Sequence, residues 1–591
     1  MKTENTWRFY TTAFLIAVVG IATIAQAARL QLNPENAVFE SITERYRGYI
    51  DYITSPRGQI YDRDGHLLAG NQVVYEVGVS LYEIPEYARE ETAEDIALLL
   101  NSALELDYDE VFSIINDPSQ INSPYIVFQF DVPEEIGLKL IKAKQDRYLD
   151  IFNGKDFPSI NSMILTPRLM RSYPENGLAS NVLGLFNIHN LSVFGVEEYY
   201  DDHLSGIPEK VWIPIDPNYV DEMPETQSNT NLILTIDREI QSMVEDELEK
   251  AVEKYHAEAG TIIVMDPQTG EILAMASSPN YDLNDHDLIW ETFTSEDPPT
   301  FNKSISYSFE PGSVFKIFTM AAALESGSVT PETEYDIEES FFYGGRTIYN
   351  WDNEAWGIQD MTGCLQHSLN VCFAWIATEM GEDVFYDFIE AFHFGRSTQI
   401  DMSGENSGIV RTPTNPPWYD IDLVTNSFGQ GISVTPIQIL KAASAIANNG
   451  QMVTPHIVKT IIQEDRILNS TIDIVGQPIS EETAQILTDM LVDSLEEEAS
   501  VALVPGYRIA GKTGTASIPL DSGVYASYIT NASFLGWGPA EDPQFMIYIW
   551  LEKPIPIWGS LTAAPTFSEI ATRLVVMLNL PYDPEHYAEN K

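Results

Sequence analysis

Cysteine is nearly absent from this chain. Its 591 residues hold two, Cys364 and Cys372, too few for the bridged framework of a small secreted domain or for a four-cysteine zinc site. Basic residues are scarce as well: 32 Lys and Arg stand against 88 Asp and Glu, a formal charge of −56. Nucleic acid is thereby excluded as a partner, because its phosphates need neutralising by clustered Lys and Arg. The acidity is read as solubility, as in a saline habitat, and is assigned to no site. Internal repeats and low-complexity tracts are also missing. What is present, 44% apolar and 20% charged residues, is the composition of a globular protein with room for two or more domains.

One long uncharged run, Phe9 to Ala28, has the roughly 20-residue length that crosses a bilayer as a helix. Trp7, Arg8 and Tyr10 mark one interface and Arg29 the other. The competing assignment is a cleaved signal peptide, with Lys2 and Arg8 as its basic region and Ala25-Gln-Ala27 as its cleavage pattern. The run exceeds the usual apolar core of roughly 7–15 residues, so an uncleaved anchor is expected. Charge does not orient it, since Lys2 and Arg8 face Arg29, Arg45 and Arg47.

Phe309 to Gly327 organises the rest. Pro311 and Gly312 suit the turn into a helix, and Gly327 suits the left-handed residue after its last turn. Ile317, Phe318, Met320, Ala321, Ala322, Ala323 and Leu324 put apolar side chains on every face, the mark of a buried helix. Ser313 and Lys316 then lie one turn apart at its positive end. A serine hydroxyl becomes a nucleophile only beside a base, and a lysine can be that base when desolvation or a nearby cation depresses its pKa. A chain this long shows about one Ser-x-x-Lys by chance, and a capping serine beside a surface lysine would look the same. Two further motifs lift the pair: Ser368-Leu-Asn370, and Lys512-Thr513-Gly514 followed by Thr515-Ala516.

In this order, and with Phe309-Glu-Pro-Gly312 before the serine, the three motifs resemble the S-x-x-K, S-x-N and K-T-G of class B penicillin-binding proteins. The resemblance implies an α+β fold: an N-terminal transmembrane helix, an elongated β-rich pedestal, and a transpeptidase domain whose central antiparallel sheet is flanked by helices, as in serine β-lactamases. The implied boundaries are a tail at 1–8, the anchor at 9–28, a connector at 29–48, the pedestal at 49–216, a linker at 217–236, the transpeptidase domain at 237–580 and a tail at 581–591. Arg57 to Ala69, Arg171 to Gly184 and Gly195 to Gly206 resemble the pedestal motifs. Their paired Arg and acidic residues are expected to be buried ion pairs that fix how this domain docks, not catalysts.

Local patterns add detail. Asp64-Gly65 signals a hairpin. Asp237 reads as the cap of a helix with Ile240, Val244, Leu248 and Val252 on its inner face. Thr261–Met265 and Ile272–Ala276 form a hairpin suited to the centre of a sheet. Tyr528–Gly538 and Phe545–Leu551 read as later strands, with a closing helix after Ala564-Pro565. Asn426 and Gly429 to Pro436 are expected to shape the core below the site. If Cys364 and Cys372 share one helix, about 12 Å separates them, beyond disulfide reach, so two buried thiols are expected.

The resemblance also assigns roles. Ser313 is the nucleophile and Lys316 its base; Ser368 relays a proton to the leaving amine; Asn370 bonds the substrate's peptide backbone. Lys512 supplies positive charge, Thr513 and Thr515 offer hydroxyls to a substrate carboxylate, and Gly514 lets the substrate lie alongside as an added strand. The backbone amides of Ser313 and Thr515 form the oxyanion hole, each donor worth about 3 kcal/mol in the transition state. The implied activity is a peptidoglycan D,D-transpeptidase working through an acyl-enzyme, with stem peptides and β-lactams as ligands and no cofactor or metal. Implied surroundings are the bacterial cytoplasmic membrane, crossed once with the C-terminal part outside, a membrane glycosyltransferase, and division or elongation proteins. Alternatives are a β-lactamase, against which the pedestal argues, a β-lactam sensor, against which the short stretch before the anchor argues, and an inactive divisome scaffold. A bifunctional class A enzyme is disfavoured because no glycosyltransferase-like region precedes the pedestal motifs. Val314 and Ile317 stand where threonine and proline are common, a change expected to act on packing or β-lactam affinity. His367 adjoins Ser368, but the family runs this chemistry on lysine. Gly506 to Thr513 matches a P-loop letter for letter. Its intervening residues are bulky, and Gly514 and Pro519 fall where the helix should begin, so a strand is expected.

Overall fold

A computed structural model describes residues 6–32, 48–53, 56–117, 125–155, 158–186, 191–205, 209–214, 230–294, 300–463, 466–519 and 525–582. Lys2, Arg45, Arg47, Gly206, residues 217–229 of the expected linker and residues 583–591 of the expected tail lie outside these. Helix α1 (Thr6–Leu32) contains one apolar segment, Trp7–Gln26, long enough to cross a membrane.

The chain forms two compact units. The smaller comprises 1–56, 72–170 and 206–228. Within it, Arg89–Leu104 and Glu134–Phe152 are helices, and Val77, Val79, Ile96, Leu100, Leu140 and Met163 share one core. Gly48–Ile53 pairs antiparallel with Glu209–Pro214.

The larger unit comprises 57–71, 171–205 and 229–591. Most of the stretches that resemble pedestal motifs fold into it. Glu197, fully buried, takes Arg57 Nε at 2.6 Å and Arg171 Nε at 2.7 Å, and Asp201 takes Arg57 Nη1 at 2.7 Å. The two pairs on Glu197 are buried as expected and the Asp201 pair is half-exposed, but every partner lies within the larger unit, so they knit that unit internally. The expected linker also ends early: Asn231–Leu234 is a strand that pairs with Ile60–Tyr61 and Val458–Gln463. Its alternation places Leu232 and Leu234 wholly inside. The Asp64-Gly65 hairpin forms, with Gly65 at φ +90° and Tyr61 opposite Leu67.

A five-stranded sheet and the helices around it comprise, in chain order, helix α2 (Arg238–Tyr255), strands β1 (Ala259–Met265) and β2 (Ile272–Ser278), helices α3 (Lys316–Glu325), α4 (Met361–Gln366), α5 (Asn370–Met380), α6 (Pro436–Ala447) and α7 (Glu481–Glu498), strands β3 (Ala510–Pro519), β4 (Tyr525–Gly538) and β5 (Phe545–Glu552), and helix α8 (Ala563–Met577). Asp237 caps α2, its carboxylate accepting from the N–H groups of Glu239 and Ile240. The strands run antiparallel in the order β2-β1-β5-β4-β3.

Both faces of this sheet are covered, which explains strands that are apolar at every position. In β5, Phe545, Ile547, Ile549 and Leu551 pack with Ile240, Val244 and Leu248 of α2 and Phe567, Ile570 and Leu574 of α8. Met546, Tyr548 and Trp550 join the opposite core with α3, α5 and α6. The β1–β2 hairpin, expected at the centre, lies at one end of the sheet with β2 as the edge. Its central look has a local cause: Gln241 is buried and exchanges hydrogen bonds with the backbone of Met275 at 2.8 and 2.9 Å, covering polar groups that an edge would expose.

Candidate active site

Helix α3 is apolar on every side, and Ile317, Phe318, Thr319, Met320 and Ala321 to Ala323 are all buried. Gly327 follows it at φ +69°. Ser313 lies in a tighter 3₁₀ turn, Gly312–Phe315, that leads into α3. The turn begins left-handed, with Gly312 at φ +57° and its N–H donating to the Gly429 carbonyl at 3.0 Å. Lys316, at the first position of α3, is wholly inaccessible to solvent.

The second segment arrives through a break between helices. Helix α4 ends at Gln366, the chain turns at Ser368 with φ +53°, and α5 starts at Asn370. Lys316 Nζ donates to the Ser368 carbonyl at 2.7 Å, to Ser368 Oγ at 3.2 Å and to Asn370 Oδ1 at 2.8 Å. All three acceptors are neutral. Burial pushes the Lys316 pKa well below the ordinary lysine value, and the positive charge of Lys512 pushes in the same direction. Asn370 is engaged at both ends, its Nδ2 donating to the Tyr349 carbonyl at 3.1 Å. That contact had no signal in the sequence. The His367 ring instead stacks on Trp356, centroids 4.4 Å apart.

The helix break overturns one expectation. Cys364 and Cys372 are bonded to each other, with Cα atoms 6.1 Å apart. They sit on two helices, not one, and the left-handed residue between them folds the chain back on itself. The bridge closes the loop that carries Ser368.

The third segment is β3, the edge of the sheet on the side of Ser313. Lys512 faces Leu535 and Gly514 faces Ser533 across the β3–β4 ladder. Residues 510–519 are extended throughout, so a strand runs on where a P-loop would begin its helix. Gly514 is required by a close approach: a Cβ there would meet Ser533 Oγ at 2.2 Å and Val314 Cγ2 at 2.8 Å. Thr515 Oγ1 accepts the Gly559 N–H at 3.1 Å, which leaves its own hydrogen free to point elsewhere. Lys512 is nearly buried, while Ser313, Thr513 and Thr515 are half-buried. The fold thus gathers residues almost 200 positions apart in the sequence around one lysine amine.

Residues 260–572 match the penicillin binding protein transpeptidase domain, and residues 52–228 match the penicillin-binding protein dimerisation domain. Stage V sporulation protein D of Bacillus subtilis is 32% identical over 534 residues, 87% of this chain and 77% of its own. The probable peptidoglycan D,D-transpeptidase PbpC of Pseudomonas aeruginosa is 30% identical over 70% of this chain and 71% of its own. Penicillin Binding Protein 2X from Streptococcus thermophilus shares the fold, with a TM-score of 0.74 at 21% identity over 90% of this chain and 80% of its own. With both domains matched in order, this chain belongs to the class B penicillin-binding proteins.

Proposed function

We propose that the protein is a serine-type peptidoglycan D,D-transpeptidase. The observation that carries this reading is Lys316, a buried amine with three neutral acceptors and a cation nearby, one helical turn from Ser313. In its neutral form the amine has two hydrogens and one lone pair. The hydrogens satisfy the Ser368 carbonyl and Asn370 Oδ1, the two shorter contacts. The lone pair is left for a proton from Ser313 or from Ser368.

Ser313 Oγ attacks the carbonyl between the two terminal D-alanines of a stem peptide and passes its proton to Lys316. The oxyanion accepts from the backbone N–H groups of Ser313 and Thr515. Ser368 returns the proton to the departing D-alanine amine, leaving an acyl ester on Ser313. An amine of a neighbouring stem then attacks that ester, and the proton steps run in reverse. Lys512, Thr513 and Thr515 hold the substrate's terminal carboxylate, and Gly514 allows the peptide to lie against the edge of β3. A β-lactam enters as a mimic of the same dipeptide and acylates Ser313. Helix α1 is read as a single-pass anchor that holds the catalytic unit outside the cytoplasmic membrane, beside a membrane glycosyltransferase and division or elongation proteins.

The test is acylation of the full-length protein in detergent by a fluorescent penicillin, with the adduct located by mass spectrometry, and cross-linking of a stem-peptide donor to an amine acceptor. Labelling is expected on Ser313 and lost in Ser313→Ala. Label retained by that variant would reject the nucleophile, and label without cross-linked product would reject the transpeptidase.

A further inference from the structure

The stretch that delivers Ser313 is held from two sides. On one side it is laced to 429–434 by backbone: Phe309 and Val434 exchange hydrogen bonds at 3.0 and 2.9 Å, and the Gly312 N–H donates to the Gly429 carbonyl. On the other it packs on β3, where a Cβ at Gly312 would lie 3.0 Å from the Ala516 Cβ. Between these supports one side chain reaches a third segment. Glu310 Oε1 accepts the Gly431 N–H at 3.0 Å and the Tyr525 phenol at 2.9 Å. Its other oxygen, Oε2, is buried and has no hydrogen-bond partner among the described residues. Burial accordingly pushes the Glu310 pKa up, against the pull of those two donors.

A desolvated carboxylate with one idle oxygen costs folding free energy. Its place explains what it does instead. Tyr525 is the first residue of β4 and pairs with Pro519, the last residue of β3. Among the described residues β3 is the sheet's edge, bonded to β4 on one side only, so no described strand holds its other side at the end beyond Lys512-Thr513-Gly514. We propose that Glu310 is a positioning residue for acyl transfer, a clasp that fixes the turn end of the β3–β4 hairpin to the arm carrying Ser313 and so sets the gap between nucleophile and substrate-binding strand. Glu310 touches no reacting atom; it acts through Gly431 and Tyr525. The inference rests on the serine acyl-transfer reading above.

The experiment measures the second-order rate of acylation by a fluorescent penicillin, on the full-length protein in detergent and well below each variant's Tm. Hydrogen bonds to charged groups carry enough for Glu310→Ala and Tyr525→Phe each to slow acylation by about tenfold or more. The combined variant should be no slower than Glu310→Ala, because both changes open the same clasp. Glu310→Gln keeps an oxygen that accepts both bonds and should keep most of the rate. A merely structural glutamate would lower Tm and leave the rate of the folded protein unchanged, and that result overturns the proposal. Tyr525→Phe acylating at the native rate overturns it too, and that variant alters only one hydroxyl on a partly exposed ring, so it tests the clasp even if Glu310→Ala fails to fold. Native protein that takes no label on Ser313 would instead overturn the acyl-transfer reading itself.

Discussion

Gly429→Ala should separate the geometry of the turn that carries Ser313 from the stability of the fold. Gly429 sits at φ +79°, and a Cβ there would stand 2.2 Å from the Gly312 carbonyl oxygen, 2.7 Å from its nitrogen and 2.9 Å from its carbonyl carbon. All three are backbone atoms, so no rotamer change relieves the overlap. To reach ordinary contact, the Gly312 carbonyl must retreat by roughly 1 Å. The peptide unit is rigid, so the Gly312 C=O and the Ser313 N–H move together. That N–H is the proposed oxyanion donor, and loss of one such donor slows catalysis by about 10²–10³-fold. Misplacement by about 1 Å alone costs on the order of 10²-fold. Folding should suffer less, about 1–2 kcal/mol for a left-handed residue that carries a Cβ, with some further cost for the displaced turn. Gly327 supplies the control, since it ends the same helical segment at φ +69° with nothing within 4 Å of its Cβ position. Gly327→Ala should match the strain and leave acylation alone. The measurements are the rate of penicillin acylation and the Tm of both variants. A Gly429→Ala protein that acylates within about threefold of native, or a Gly327→Ala protein slowed as much, would refute the reasoning.

Three other outcomes follow from the same site. Lys512→Ala removes the cation that helps hold Lys316 unprotonated, so the acid limb of the acylation pH profile should move to higher pH; an unmoved limb rejects the coupling. Lys316→Met tests burial itself: the native chain binds fewer protons than the unfolded chain between the lowered pKa of Lys316 and the ordinary value of 10.5, so native stability climbs with pH across that window. The Tm of Lys316→Met minus that of the native protein should therefore fall as pH rises, and a flat difference would show that Lys316 is not desolvated. Iodoacetamide under non-reducing conditions should add no mass to the unfolded chain, because Cys364 and Cys372 are paired; replacing both with alanine should cost about 2–3 kcal/mol, the loop-closure contribution of so short a ring.

Much of the candidate site was legible because its groups are written in short motifs. Ser313 and Lys316 are separated by one helical turn, and the apolar run after them announces a buried helix whichever way it faces. Lys512-Thr513-Gly514 could be told from a phosphate-binding loop by its bulky neighbours, which suit an extended strand. Hairpins at Asp64-Gly65 and helix caps such as Asp237 depend on bonds spanning a few residues, and those bonds formed as the local pattern required.

Other features depended on contacts that no local window contains. A left-handed Ser368 divides what reads as one helix into two and brings Cys364 against Cys372, so spacing alone misjudged the disulfide. Strand β2 looked central because its edge is covered by Gln241, a side chain from a different element. Asn231–Leu234 looked like the end of a linker because its partners lie about 170 residues before it and about 225 after it. Stretches that resemble pedestal motifs proved to fold with the catalytic unit, since Arg57, Arg171 and Glu197 find one another only in three dimensions. By itself the sequence determined the chemical groups, most of their local secondary structure and the family. Tertiary structure alone decided that Lys316 loses its water, that Lys512 lies near enough to depress its pKa, and that Gly429 and Glu310 hold the arm of Ser313. Desolvation and close packing are properties of the assembled core, set by residues that meet only when the chain has folded.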